Sequence, residues 1–199
     1  ENHGNGAVIE RADHRLAYEF QTYGAVTVEP ARDHFDYVYL RDDLVALEGN
    51  RYRSKRNHIN KLMKTYHFTY QTLDAGHIEA CLALQEKWCQ IRRCREDLNL
   101  MGEWEAVEEI LRNFGRLPLI GGVIIIEGTV GAFTVGEMLN GETAVVHIEK
   151  ADPVTPGLFP MINREFCRNA WDGVTFINRE QDLGIPGLRE AKLSYYPHH

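Results

Sequence analysis

The chain has 199 residues, 44% hydrophobic and 26% charged, which suits one globular domain with or without part of a second. No apolar run reaches the length of a bilayer span and no leader-like segment occurs, so the sequence as it stands reads as a soluble protein. A formal net charge of −7 argues against a surface that coats nucleic acid broadly, yet Arg51, Arg53, Lys55, Arg56, His58, Lys61 and Lys64 make a local basic patch.

Residues 1–47 carry strand-like runs at Ala7-Val8-Ile9 and Ala25-Val26-Thr27-Val28, then mix aromatics with acids from 33 to 47. They read as an N-terminal extension, or as the remnant of a preceding half, ahead of a main domain at 48–199. The spacing predicts a helix over 49–66 with Tyr52, Ile59, Leu62, Met63 and Tyr66 on its buried face. Lys55 and Arg56 flank that face, either snorkelling past the core or reaching into a site. A strand follows over 67–73, then helices over 76–94 and 103–114. Three strands over 122–127, 130–139 and 143–149 form a meander, the last two joined through Asn140-Gly141, a strong hairpin signal. A helix over 157–171, a strand over 174–177 and a short helix over 187–193 complete the order.

Four cysteines (Cys81, Cys89, Cys94 and Cys167) show no C-x-x-C pair and read as small core hydrophobes, consistent with a reducing cytoplasm. The nine histidines form no H-E-x-x-H or similar pair, so no metal site is expected; His198 and His199, at the end of the chain, are set aside from site reasoning.

On the strand 143–149, alternation places Ala144, Val146 and Ile148 on one face and Val145, His147 and Glu149 on the other. Glu149 suits a general base that His147 could tune; a salt bridge to Lys150 or a basic helix residue explains the same carboxylate. After the strand 174–177 comes the dense polar tract Asn178-Arg179-Glu180-Gln181-Asp182, then Leu183-Gly184-Ile185-Pro186-Gly187-Leu188-Arg189-Glu190-Ala191-Lys192. Clustered donors and acceptors at a strand's carboxyl end are where open α/β sheets bind ligands; a charged turn leading into a helix is the plainer explanation. Asp182 and Glu180 can orient or deprotonate an amine, while Arg179, Arg189 and Lys192 can grip a carboxylate or phosphate. Tyr195 can protonate a leaving group. The approach to the helix at 157–171 holds Pro153 and Pro156 and little glycine, so a pyrophosphate cradle of the coenzyme A kind is weakly signalled.

The element order β-α-α-β-β-β-α-β-α matches the core of the GNAT acyltransferase fold: an α+β class with a mixed central sheet and flanking helices. Three tracts carry a more specific likeness. They are Leu47-Glu48-Gly49-Asn50-Arg51-Tyr52-Arg53-Ser54-Lys55-Arg56-Asn57-His58-Ile59-Asn60-Lys61, His147-Ile148-Glu149-Lys150-Ala151, and Asn178-Arg179-Glu180-Gln181-Asp182-Leu183-Gly184 with Gly187-Leu188-Arg189. With these the chain resembles the bacterial phosphatidylglycerol lysyltransferase C-terminal domain family, which has a GNAT-like fold, over about residues 35–197.

The resemblance implies tandem GNAT-like halves, of which this chain holds the second, and relatives that move an aminoacyl group from charged tRNA to a lipid head group. Those relatives carry membrane segments that this sequence lacks. Glu149, Asp182 and Tyr195 are then the candidate catalytic residues. Lys55, Arg56, His147, Lys150, Asn178, Arg179, Glu180, Arg189 and Lys192 are the candidate substrate-binding ones. Lys55 and Arg56 would contact donor phosphates, whether of tRNA or of acyl-CoA. The rival expectation is a non-catalytic GNAT-like module that binds RNA, lipid head groups or a protein partner; an apolar face left by a missing half would drive homodimerisation.

Overall fold

In the computed structural model, which describes residues 8–22, 24, 26–96 and 98–198, the chain builds a six-stranded mixed sheet. The strands are β1 (Val38–Leu40), β2 (Phe68–Thr72), β3 (Ile120–Ile126), β4 (Thr129–Met138), β5 (Thr143–Ala151) and β6 (Phe176–Asn178). They lie in the order β1-β6-β5-β4-β3-β2. β5 and β6 run parallel, and the other neighbouring pairs are antiparallel.

Turn chemistry fixes the meander. Glu127 and Gly128 both take positive φ, at 47° and 79°, the pairing that matches the twist of a two-residue hairpin. At the next turn the Asn140 side chain accepts hydrogen bonds from the Glu142 and Thr143 amides at 2.9 and 3.0 Å.

The helices are α1 (His14–Thr22), α2 (Arg41–Ala46), α3 (Arg53–Thr65), α4 (Ile78–Arg92), α5 (Leu98–Arg112), α6 (Leu158–Asn169) and α7 (Pro186–Leu193). Leu44 of α2, Ile59 and Leu62 of α3, and Met161, Ile162 and Phe166 of α6 share one core with Ile124, Val146 and Trp171. Cys81 and Leu84 of α4 join Val107 and Leu111 of α5 in a second core with Phe133, Val135 and Ile148. Two packed layers therefore sandwich the sheet.

The two cores meet at an irregularity that matters for the site. Val135 pairs with Ile148 but Gly136 pairs with Val146, leaving His147 as an extra residue on β5. Such a bulge reverses the alternation beyond it. Val146 accordingly packs in the first core and Ile148 in the second, which corrects the expectation that the two share a face. Gly136 is required here, because a Cβ would sit 2.2 Å from the Val145 carbonyl oxygen.

The elements from β2 onward lie within a few residues of their sequence-based expectation, apart from α5, which starts at Leu98 rather than 103. Met63 is half exposed rather than buried with Ile59 and Leu62. Residues 8–9 and 26–28 carry no strand; Ala7 and Ala25, expected in the same runs, lie outside the described residues, as does His199. Residues 37–47, grouped by sequence with the N-terminal segment, join the sheet and the core: β1 pairs with β6, and Tyr37, Tyr39, Leu44 and Leu47 are buried. Cys89 and Cys94 are joined by a disulfide across the end of α4, so the core-hydrophobe reading holds for the buried free thiols Cys81 and Cys167 alone.

Candidate active site

β5 and β6 stay in register only from Thr143 opposite Phe176 to Val145 opposite Asn178. Beyond that pair β5 bulges at His147 and continues to Ala151, while the segment after β6 leaves the sheet. Two side-chain bridges cross the resulting gap.

The inner bridge joins Arg179 to Glu149, with Nη2 donating to Oε1 at 2.9 Å and both side chains largely buried. Asn163 of α6 donates to the other carboxylate oxygen at 3.0 Å. Glu149 is thus committed on both oxygens. Two atoms around it are not: among the described residues, Arg179 Nη1 and Asn163 Oδ1 are buried without a hydrogen-bond partner. An unpaired buried donor and acceptor leave a desolvation penalty that a ligand can relieve. Two cations lie over the Tyr195 ring, with Lys55 Nζ 4.1 Å and Arg179 Cζ 4.8 Å from its centroid.

The outer bridge is His147, set between Glu180 (Nδ1 to Oε1, 2.9 Å) and Glu137 (Nε2 to Oε1, 3.1 Å). A neutral imidazole has one N–H to give, so holding both carboxylates takes the imidazolium. The hydrogen bond to Glu180 raises the His147 pKa, burial opposes it, and Glu137 adds to the rise. Glu180 itself adopts φ 55°, a conformation held by the Asn178 side chain accepting from its amide at 2.7 Å and by its carbonyl accepting from Tyr37 N at 3.1 Å.

Asp182 plays a different part from the base expected of it. Its fully buried carboxylate accepts from Arg189 Nε at 2.7 Å, Arg189 Nη2 at 2.8 Å, Tyr37 Oη at 2.5 Å and the Gly184 amide at 2.9 Å. The Arg189 guanidinium holds this carboxyl well below the usual carboxylate range. Every lone pair has a donor, which leaves none for a substrate. No hydrogen bond joins Asp182 to Glu149 among the described residues; the Lys192 ammonium donates to the Arg179 carbonyl and, at 2.5 Å, to the Gln181 carbonyl. Burial pushes the Lys192 amine down to about 8.

Of the other candidates, Arg56 braces the chain ahead of α3 by donating to the Leu47 and Gly49 carbonyls. Asn178 ties down its own loop by donating to Asp36 at 2.8 Å. Arg189 and Lys192 do share a helix, but both bind carbonyls or carboxylates of their own chain. Lys150 stands apart from the cluster. As the neighbour of Glu149 on β5 it points to the other face, where it pairs with Glu103 at 2.6 Å and lies 3.7 Å over the Trp88 ring. Tyr195 is buried, and burial raises its phenol, so it holds its proton.

Sequence reasoning missed Asn163, Tyr37 and Arg32. For Asn163 the signal was available: an amide within the apolar side of α6 that is 2% exposed. Tyr37 and Arg32, which donates to Tyr37 Oη at 2.7 Å, meet Asp182 only through tertiary contacts. The free thiols offer no nucleophile, since burial pushes Cys81 and Cys167 up to about 12.

A β-α-α-β-β-β-α-β order, with the last strand parallel to a bulged neighbour and parting from it, is a GNAT-like fold. The chain belongs to the family described as phosphatidylglycerol lysyltransferase, C-terminal, whose model matches residues 1–199. Among solved structures it is similar to a conserved protein of unknown function from Bacteroides thetaiotaomicron: 38% identity, TM-score 0.87, covering 94% of this chain and 64% of that one. It also shares the fold of L-PGS from Bacillus licheniformis at 13% identity and TM-score 0.59, covering 94% and 62% of the two chains. A third likeness is to the C-terminal domain of a putative lysylphosphatidylglycerol synthetase from Agrobacterium fabrum, at 13% identity and TM-score 0.56, covering 83% and 57%. The chain spans less than two thirds of the length of each. No curated protein matches it. Among the described residues no helix is long and apolar enough to cross a membrane.

Proposed function

We propose that this domain transfers an aminoacyl or acyl group from an activated ester to a hydroxyl or amine, and that the reaction is seated where β5 and β6 part. The observation that carries this reading is Arg179: a buried guanidinium fixed on one side by Glu149, with Nη1 left unengaged. A preorganised donor in a water-poor gap is what stabilises the oxygen of an ester carbonyl as it gains charge. Glu149 and Asn163 orient Arg179, and Tyr195 supplies the wall against which the cations stand. Asp182, with Arg189 and Tyr37, holds the loop that delivers Arg179.

Charged tRNA is favoured over acyl-CoA as the donor by the start of α6. There Gly157, at φ 98°, serves contact with α3, since a Cβ would lie 2.6 Å from the His58 carbonyl oxygen. Pro160, in the first turn, has no N–H to offer a pyrophosphate. The family name supports a lipid head-group hydroxyl as the acceptor. The test presents the chain with lysyl-tRNA in one arm and acetyl-CoA in the other, with phosphatidylglycerol vesicles as acceptor. Label moving to lipid from the tRNA arm is expected; no transfer from either donor overturns the reading.

One observation favours binding without chemistry. α3 contains no acidic residue, and its outer side holds a hollow of about 370 Å³ lined by Asn57, Asn60, Lys61, Lys64 and Thr65. If this face carries the function, affinity for RNA falls steeply with salt as counterions are released, and no label moves.

A further inference from the structure

We infer that Lys55 is the proton carrier of this site: its amine takes the proton of the attacking hydroxyl or amine and returns it to the departing oxygen. The inference rests on the transferase reading above and places the proton on a residue outside the network of bonded side chains. Glu149 has both oxygens engaged, by Arg179 and Asn163. Asp182 is saturated by Arg189, Tyr37 and the Gly184 amide. His147 is spanned by Glu137 and Glu180, and the Lys192 ammonium is held by two carbonyls.

Lys55 differs from all of them. Among the described residues it makes no hydrogen bond or ion pair, and its nearest polar-to-aromatic contact is the face of Tyr195 at 4.1 Å. Its position is nonetheless fixed. One turn earlier, Tyr52 donates to the Tyr195 carbonyl at 2.9 Å, and next to it Arg56 is bonded to the Leu47 and Gly49 carbonyls. The start of α3 is thereby joined to the C-terminal segment, and Lys55 and Arg179 both lie over the Tyr195 ring. Burial and the neighbouring Arg179 charge both favour the neutral amine, with Glu149 opposing them. A lysine in such a place gives up its proton more readily than an exposed one.

The step balances without a co-reactant. The acceptor's oxygen or nitrogen attacks the ester carbonyl carbon while its proton passes to Lys55 Nζ. The carbonyl π electrons move to the oxygen that faces Arg179 Nη1. When they return, the ester C–O bond breaks and the leaving oxygen takes the proton from the Lys55 ammonium. The amine is neutral again, and nothing is oxidised or reduced.

The plainer role, a cation stacked on tyrosine for stability alone, makes a different statement about ionisation. Competitive labelling of the full chain with trace acetic anhydride, from about pH 6 to pH 10, reads each amine by peptide mass spectrometry. Lys55 is expected to label with a midpoint below those of the exposed Lys61 and Lys64 in the same samples, and R179Q to move that midpoint upward. A Lys55 midpoint equal to or above theirs, or no labelling at all, overturns the proposal. In the transfer assay, the acid limb of the wild-type pH–rate profile then shares the Lys55 midpoint, and K55R removes that limb with at least about 10²-fold of rate. A limb that does not coincide overturns the proton-carrier role and leaves the transferase reading standing; absence of any transfer overturns both.

Discussion

The guanidinium of Arg179 reaches across from the end of β6 to the carboxylate of Glu149 near the end of β5, closing at 2.9 Å a gap that the two parallel strands leave open. Both partners are largely buried, so removing one strands the other's charge. Glu149→Gln is expected to destabilise the domain by about 3 kcal/mol, and adding Arg179→Gln to recover part of that loss. Urea denaturation of the two single variants and the double variant measures the coupling.

Asp182 contributes to stability rather than to chemistry. Asp182→Ala is expected to lose about 1–2 kcal/mol, because the buried Tyr37 hydroxyl and the Gly184 amide then lose their acceptor. The folded carboxyl lies below its usual range, so its stabilisation is complete above the unfolded value and is lost as pH falls below about 4. In thermal melts at graded acidity, Asp182→Asn should show a shallower acid limb than the parent protein.

His147 has the opposite sign. Its folded pKa is raised, so its contribution is complete below about 6.5 and fades as pH rises through the folded value. An NMR titration should place the His147 ring above an ordinary histidine. Glu180→Gln, which removes the larger of the two supports, should bring that midpoint down.

Gly157→Ala tests the α3–α6 contact. The residue adopts φ 98°, and an added Cβ meets the His58 carbonyl oxygen at 2.6 Å. Left-handed strain alone costs about 1–2 kcal/mol, and the clash adds to it, so a lower melting temperature is expected with unchanged far-UV circular dichroism at 25 °C.

Much of the frame was legible in the sequence because it rests on local chemistry. Glu127-Gly128 and Asn140-Gly141 announce their turns, and Leu158, Met161, Ile162 and Phe166 announce the buried side of α6. The polar tract after β6 was also visible as a cluster. Its division into a clamp and a site was not, because Asp182 finds Tyr37 and Arg32 some 145 and 150 residues away. Lys55 shows the same limit: its partner Tyr195 lies at the far end of the chain, and helical spacing alone allowed it to point either way. The bulge at His147 depends on how closely the Gly136 backbone approaches Val145, which strict alternation conceals. β1 was hidden for a further reason: three residues are too few to show a period, and pairing with β6 is what makes Val38–Leu40 a strand.

The most direct measurement is single-turnover transfer of a labelled aminoacyl group from charged tRNA by the parent chain and by Arg179→Lys. The lysine keeps the charge near Glu149 but not the second guanidinium nitrogen, the one left without a partner. A loss of about 10²-fold or more with little change in melting temperature is the expected result. Transfer by Arg179→Lys at the parent rate would contradict a reaction seated between β5 and β6.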